Sequence, residues 1–192
     1  RHIHHGLWSA DESPSQAQQQ LTETLAAMAR LEAGDEVLDV GCGMGGSAIH
    51  LAQRLGCRVT GITLSRVQRG WASLAARWRR VRGNTEFRCA DAESVDFAPQ
   101  QFDAVWSVEC TEHLFDKPAF FRRAAEWLRP GGRMAICAWL AGDGIDSEEK
   151  SQQVERVCEG FLCPSLATRS EYRQWMEDRK STRLNSSHDQ IS

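Results

Sequence analysis

The chain has 192 residues, of which 41% are hydrophobic and 26% charged, and its formal net charge is -3. This length fits one domain with a small addition, and the composition is typical of a globular protein that buries a core. The charges are interspersed, which gives no indication of nucleic-acid binding, and no run of about 18 apolar residues predicts a membrane span.

Short apolar segments alternate with helix-like segments along most of the chain. Apolar residues at helical spacing predict a first helix over 15–32. Further helices are predicted after the glycine run at 41–46, after Ser65 and after Asp116. Strands are predicted at 36–40, 57–63, 85–90, 102–108 and 133–139. This alternation predicts a parallel sheet with right-handed crossovers.

The predicted helices carry apolar stripes that predict which side is buried, as three of them illustrate. In the helix after Ser65 we expect the buried face to consist of Val67, Trp71, Leu74, Ala75 and Trp78. A later helix over 147–162 is expected to turn four residues inward: Val154, Val157, Cys158 and Phe161. The last helix begins at Ser170 and carries Tyr172, Trp175 and Met176.

Cysteine and histidine are the residue types that first suggest metal or disulfide chemistry here. The seven cysteines form no C-x-x-C pair, and most of them lie in apolar runs, which favours buried reduced thiols. His2, His4 and His5 resemble a metal site or the remnant of a tag, but no carboxylate or thiol lies near them in sequence. We therefore predict no metal site.

The glycine run from Gly41 to Gly46 follows a predicted strand and precedes a helix. It contains the dinucleotide spacing G-x-G-x-x-G as well as the shorter spacing G-x-G-x-G. Asp39, two residues before the run, is suited to accept hydrogen bonds from an ammonium group, which a dinucleotide lacks. A dinucleotide site also needs an acid near the end of the second strand, where Thr63 stands. A nicotinamide-dependent oxidoreductase is therefore the less favoured alternative.

The run VLDVGCGMGGSAIHLA resembles the cofactor motif of class I S-adenosylmethionine-dependent methyltransferases. The segments GITLSRVQ, WSVECTEHLFDK and HIHHGLW resemble the tocopherol methyltransferase group within that class. The resemblance covers about residues 2–176 and is strongest over 36–139. It implies a Rossmann-like doubly wound α/β fold, S-adenosylmethionine as cofactor and a small, apolar methyl acceptor such as a tocopherol-like phenol.

The same resemblance implies a cofactor site, assigned position by position. Asp39 would lie near the ammonium of the methionine part, Thr63 and Gln68 near the ribose, and Asp91 near the adenine amino group. His5 and Trp8 would belong to an N-terminal lid that excludes water. The complete implied set is Asp39, Gly41, Gly43, Gly45, Thr63, Leu64, Gln68, Asp91, Ala92, Ser107, His5 and Trp8.

Three residues after the fourth strand are candidates for the chemistry of methyl transfer. His113 is the candidate general base, because an imidazole titrates near pH 6.5 and suits a hydroxyl nucleophile. Glu109 and Glu112 are expected either to orient His113 or to bind polar groups of the acceptor.

Four segments are expected: a lid and helix (1–35), a cofactor-binding domain (36–139), a helical substrate cap (140–178) and a non-native or disordered tail (179–192). The resembling family completes its sheet with two more strands, for which the sequence offers no candidate. We therefore expect a sheet truncated after its fifth strand, with an aggregation-prone edge. Without a recognisable signal peptide, we expect a cytoplasmic enzyme; a truncated non-catalytic S-adenosylmethionine-binding module is the other alternative.

Overall fold

A five-stranded parallel sheet forms the centre of the computed structural model, which describes residues 4–144 and 147–177. Its strands lie in the order β3-β2-β1-β4-β5. Their bounds are β1 Glu36–Val40, β2 Arg58–Thr63, β3 Thr85–Cys89, β4 Phe102–Val108 and β5 Leu128–Cys137. The order confirms the predicted doubly wound α/β fold. His2 and the tail over 179–192 lie outside the described residues.

Helices connect the strands, except between β3 and β4, where a loop joins them, and two more helices follow the sheet. Their bounds are α1 Pro14–Met28, α2 Gly46–His50, α3 Arg66–Trp78, α4 Lys117–Trp127, α5 Glu148–Phe161 and α6 Arg169–Glu177. A π-helical segment, Leu51–Leu55, extends α2, and this irregularity was not predicted. The first helix ends earlier than predicted, because Arg30 adopts a left-handed conformation with φ of 50°.

Side chains that accept from backbone amides fix the helix starts. Ser65 Oγ accepts from the Gln68 amide at 3.2 Å, and Asp116 Oδ1 accepts from the Ala119 amide at 2.9 Å. Such N-caps satisfy amide groups that lack a partner within the helix. The predicted helix starts after Ser65 and Asp116 are confirmed.

Apolar side chains cover both faces of the sheet, since successive strand residues point to opposite sides. On one face, Leu38 and Val105 belong to a cluster with the α4 residues Phe120 and Phe121. On the other face, residues of α1 and α2 pack with Val37, which alternates with Leu38. The layers are therefore helix, sheet and helix, as the alternation of elements predicts.

The predicted buried face of α3 is wrong. Val67 and Trp78 are 70% and 72% exposed, whereas Ala72 and Ala76 are buried. The reason is the close approach of helix and glycine loop: a Cβ placed on Gly45 would lie 2.9 Å from the Ala72 Cβ. Only a small side chain fits between them, so the large apolar residues of α3, including Trp71 and Leu74, point away from the sheet.

The inward face predicted for α5 is also wrong. The helix forms where expected, with Ser147 as its N-cap, but none of its residues is buried. Its stripe residues Val157 and Phe161 are 41% and 48% exposed. By contrast α6 packs on α4, where the ring of the buried Tyr172 contacts Phe121 edge-on with centroids 5.5 Å apart.

Strand β5 lies at one edge of the sheet. It begins at Leu128, five residues before the predicted start, and its pairing with β4 is interrupted near Phe102. In the described part of the chain no strand pairs with its outer side; an isolated bridge joins Ala141 and Thr168.

All seven cysteines lie in described residues and are free thiols, although Cys89 is exposed. None of the helices of residues 4–144 and 147–177 is long and apolar enough to cross a membrane.

Candidate functional site

A crevice opens where the strand order reverses, between the carboxyl ends of β1 and β4. The chain leaves these neighbouring strands toward opposite sides of the sheet, and ligands of doubly wound folds bind at this place. A cavity of about 110 Å³ lies there. The residues that line it are His4, Asp39, Gly41, Cys42, Gly46, Ser47, Val108 and Glu109.

The loop after β1 reaches this shape through glycines with positive φ. Gly41, Gly43 and Gly45 have φ of 76°, 52° and 77°, values that other residues rarely adopt. A Cβ on Gly41 would also lie 2.4 Å from the Cys110 side chain. Of the three, Gly41 lines the cavity, whereas Gly45 supports the packing of α3. The neighbouring Gly46 lines the cavity as well.

Asp39 is the buried acid of the crevice. Its side chain is 3% exposed, and Oδ2 has no hydrogen-bond partner among the described residues. Burial raises the pKa of Asp39 to about 7, while the backbone N–H of Ala48 acts in the opposite direction. A cationic donor that reaches Oδ2 would stabilise the ionised form of this buried carboxyl group.

The N-terminal segment lies over the crevice. The backbone N–H of His5 donates to the Glu109 carboxylate at 3.0 Å, and Nδ1 of the His5 ring lies 2.9 Å from the same carboxylate. The His5 ring also contacts Trp139 edge-on. Nε2 of His4 lies 3.3 Å from Ser47 Oγ. The segment therefore contacts both the loop after β4 and the start of α2. Trp8, predicted with His5, is 52% exposed.

The residues predicted around ribose and adenine follow β2 and β3 at the same edge of the sheet. Thr63 Oγ1 donates to Gln68 Oε1 at 2.8 Å, and the intervening Leu64 is 73% exposed. After β3, Asp91 Oδ1 accepts from the Glu93 amide at 2.8 Å, and the buried Ala92 follows it. None of these five predicted residues lines the small cavity itself.

The predicted residues that follow β4 differ in exposure. The fully buried Ser107 hydroxyl donates to the Val40 carbonyl at 3.1 Å. Glu112 is 3% exposed, accepts from the Trp139 amide at 3.5 Å, and its Oε2 has no partner among the described residues. Burial raises the pKa of Glu112. The neighbouring His113 is exposed.

A buried lysine beside this turn was missed by the sequence reasoning. Lys117 is 2% exposed, and its Nζ donates to the Leu114 carbonyl at 2.8 Å and to Ser165 Oγ at 3.1 Å. Burial lowers its pKa. It joins the turn after β4 to the segment before α6. A lysine between a capping aspartate and a proline is ordinarily exposed, so the sequence held no signal for this role.

Comparison with known proteins identifies the family. A family model described as a methyltransferase domain matches residues 38–136, which is more than half of the chain. The chain belongs to the class I S-adenosylmethionine-dependent methyltransferases. The resemblance stated from the motifs is thereby confirmed. The matched range runs from β1 to β5 and contains all the predicted site residues except His5 and Trp8.

Two curated methyltransferases show how far the similarity extends. The chain is 32% identical over 189 residues to the chloroplastic tocopherol O-methyltransferase of Arabidopsis thaliana, covering 89% of this chain and 54% of the relative. It is 37% identical over 165 residues to 27-O-demethylrifamycin SV methyltransferase of Amycolatopsis mediterranei, covering 83% and 60%. This methyltransferase chain therefore spans little more than half the length of these relatives.

Solved structures confirm the fold. Geranyl diphosphate C-methyltransferase from Streptomyces coelicolor A3(2), solved with Mg²⁺, geranyl diphosphate and S-adenosyl-L-homocysteine, matches with a TM-score of 0.81 at 25% identity, covering 93% of this chain and 71% of that one. The cyclase SpnF matches with a TM-score of 0.67 at 35% identity, covering 70% and 50%. No cluster of three or more potential metal ligands occurs in the stretches 4–144 and 147–177 of this methyltransferase.

Proposed function

We propose that this chain is the cofactor-binding part of an enzyme that transfers a methyl group from S-adenosylmethionine to a small, apolar acceptor. The buried Oδ2 of Asp39 at the wall of the crevice carries the proposal. A buried carboxylate oxygen without a partner is costly, and the ammonium of the methionine part is a donor that would relieve that cost. A dinucleotide would bring phosphate charge toward the same carboxylate.

The residues around Asp39 fit the remainder of the cofactor. Gly41 and Gly46 would form the wall against the methionine part, because both line the cavity. The other predicted cofactor residues lie further along the same edge of the sheet, at the ends of β2 and β3. When bound, S-adenosylmethionine supplies a methyl carbon activated by a sulfonium. The cavity is smaller than the roughly 300 Å³ of typical sites for whole ligands, so it would hold the methionine part alone, while the nucleoside would lie along the sheet edge outside it.

The turn after β4 is proposed to provide the proton acceptor. His113 is exposed there and remains the proposed base for a hydroxyl acceptor, while the buried Glu112 supports the turn below it. Glu109 holds His5, which suits a residue that closes the lid rather than one that contacts the acceptor. The residues of the chain would thus bind and orient the two substrates and exclude water, while His113 would take the proton of the acceptor.

Labelled methyl transfer tests the proposal. The chain is incubated with S-adenosylmethionine labelled in the methyl group and a panel of phenols, prenylated phenols and macrolides. Label in an extracted product is expected, and His113→Ala should lower turnover while cofactor affinity stays unchanged. Arg54→Ala, which truncates an exposed basic side chain in the π-helical segment away from the crevice, is the control. Unchanged turnover in His113→Ala would reject the base.

The similarity to the cyclase SpnF favours a second candidate, a module that holds S-adenosylmethionine without transferring its methyl group. Cofactor binding by calorimetry without label in any product of the panel would favour it. The family model, the curated relatives and the solved structures give no support to the nicotinamide-dependent oxidoreductase.

The acceptor class and the location remain proposals. A tocopherol-like phenol is proposed because a tocopherol O-methyltransferase is among the relatives. A cytoplasmic location is proposed from the sequence, whereas that relative is named chloroplastic.

A further inference from the structure

Helix α3 shows a stripe of large apolar side chains to the solvent. Val67, Trp71, Leu74 and Trp78 are 70%, 49%, 38% and 72% exposed. At 100° per residue these four positions fall within an arc of about 60°, so they form one continuous line along the helix. We call these four residues the α3 stripe.

Arginines accompany the α3 stripe. The segment from Arg66 to Arg82 contains six arginines, all exposed, and no acidic residue. The acid-free stretch is longer still, since no Asp or Glu occurs between Asp39 and Glu86. None of the six arginines forms an ion pair with an acidic side chain in the part of the chain that the structure describes. Positive charge is therefore concentrated on and just after this helix, whereas the two signs are interspersed along most of the chain.

The inner side of α3 explains why the stripe stays outside. Ala72 and Ala76 already fill the narrow contact with the sheet, and Gly45 leaves no room for a larger side chain. Rotating the helix to bury Trp71 and Trp78 would break this packing. The exposure of the stripe is thus a consequence of the fold.

We propose that the α3 stripe and its arginines dock this protein onto the surface of an anionic lipid membrane. Helices with aromatic and aliphatic residues on one side and arginines beside them lie in the lipid interface. The apolar side chains would enter the acyl boundary while the guanidinium groups meet the lipid phosphates. A nucleic-acid surface is less suited, because Val67 and Leu74 offer bases no stacking face. This docking needs no cofactor and does not depend on the proposed methyl transfer.

Vesicle flotation tests the docking surface. The 192-residue chain is mixed with phosphatidylcholine vesicles with or without phosphatidylserine, and the fraction that floats is measured. Binding is expected only with phosphatidylserine, and it should weaken with added salt. The double variant Trp71→Ser/Trp78→Ser should bind at least about tenfold more weakly. Phe115→Ser, which removes an aromatic ring that is 82% exposed outside α3, is the matched control and should bind as before.

A second variant separates charge from apolar contact. Arg66→Gln/Arg69→Gln/Arg77→Gln should lose the preference for phosphatidylserine, and circular dichroism should show that each variant keeps its fold. Three results would overturn the proposal: equal flotation of the double tryptophan variant, a dimer in gel filtration that this variant dissociates, or binding to an oligonucleotide without binding to vesicles.

Discussion

Asp39→Asn is the substitution that tests the crevice most sharply. Burial moves the pKa of this carboxyl from its ordinary 3.8 to about 7, which at 1.36 kcal/mol per pKa unit corresponds to about 4 kcal/mol. The folded state holds its proton more tightly than the unfolded state, so this group lowers the free energy of unfolding as the pH rises from about 4 to 7. The Asn side chain does not titrate, so the variant lacks this pH dependence. Between pH 4 and 7 the free energy of unfolding of the variant should therefore rise, relative to that of the natural chain, by up to about 4 kcal/mol.

Cofactor binding should release the proton that Asp39 holds in the free protein. A carboxyl with a pKa of about 7 is about nine-tenths protonated at pH 6, and pairing with an ammonium requires its ionised form. Calorimetry in two buffers with different ionisation enthalpies should therefore detect release of about 0.9 proton per S-adenosylmethionine bound at pH 6. Asp39→Asn should bind more weakly and release none of it. Equal proton release by the two proteins would refute the assignment of Asp39 to the ammonium.

Three further changes test the packing and the lid. Gly45→Ala should cost about 1–3 kcal/mol more in urea unfolding than Gly131→Ala, since both glycines have φ near +78° but only Gly45 is crowded; equal losses would deny the close approach of α3. Tyr172→Phe should cost about 1 kcal/mol, because its hydroxyl shares a buried hydrogen bond of 2.8 Å with Thr111; an unchanged unfolding midpoint would contradict this. His5→Ala should raise the dissociation rate of the cofactor in stopped flow, because it removes the ring contact with Glu109; an unchanged rate would rule out a lid function for His5.

Strand positions and the glycine loop were predictable because their residues carry strong local signals. The bounds of β1 and β4 agree with the predicted 36–40 and 102–108, since both are short, mainly apolar segments buried on two faces. The positive φ of Gly41 follows from the tight turn that a strand-to-helix loop needs. Ser65 and Asp116 marked helix starts by the chemistry of their side chains.

Side-chain burial on the helices was less predictable because it depends on the partner surface. A helical stripe that contains Trp71 and Trp78 is typical of a buried face, yet the glycine loop admits only the alanines of α3. Likewise α5 has an apolar stripe but no buried residue. The contact between His5 and Glu109 joins residues 104 positions apart, and sequence spacing carries no information on such a pair.

The most direct measurement is a crystal structure of this chain grown with S-adenosylhomocysteine. The amino group of the ligand should lie within hydrogen-bond distance of Asp39 Oδ2, beside Gly41, with the N-terminal segment closed over it through the contact of His5 with Glu109. A ligand bound elsewhere, or a crevice that accepts a dinucleotide pyrophosphate at this carboxylate instead, would contradict the account.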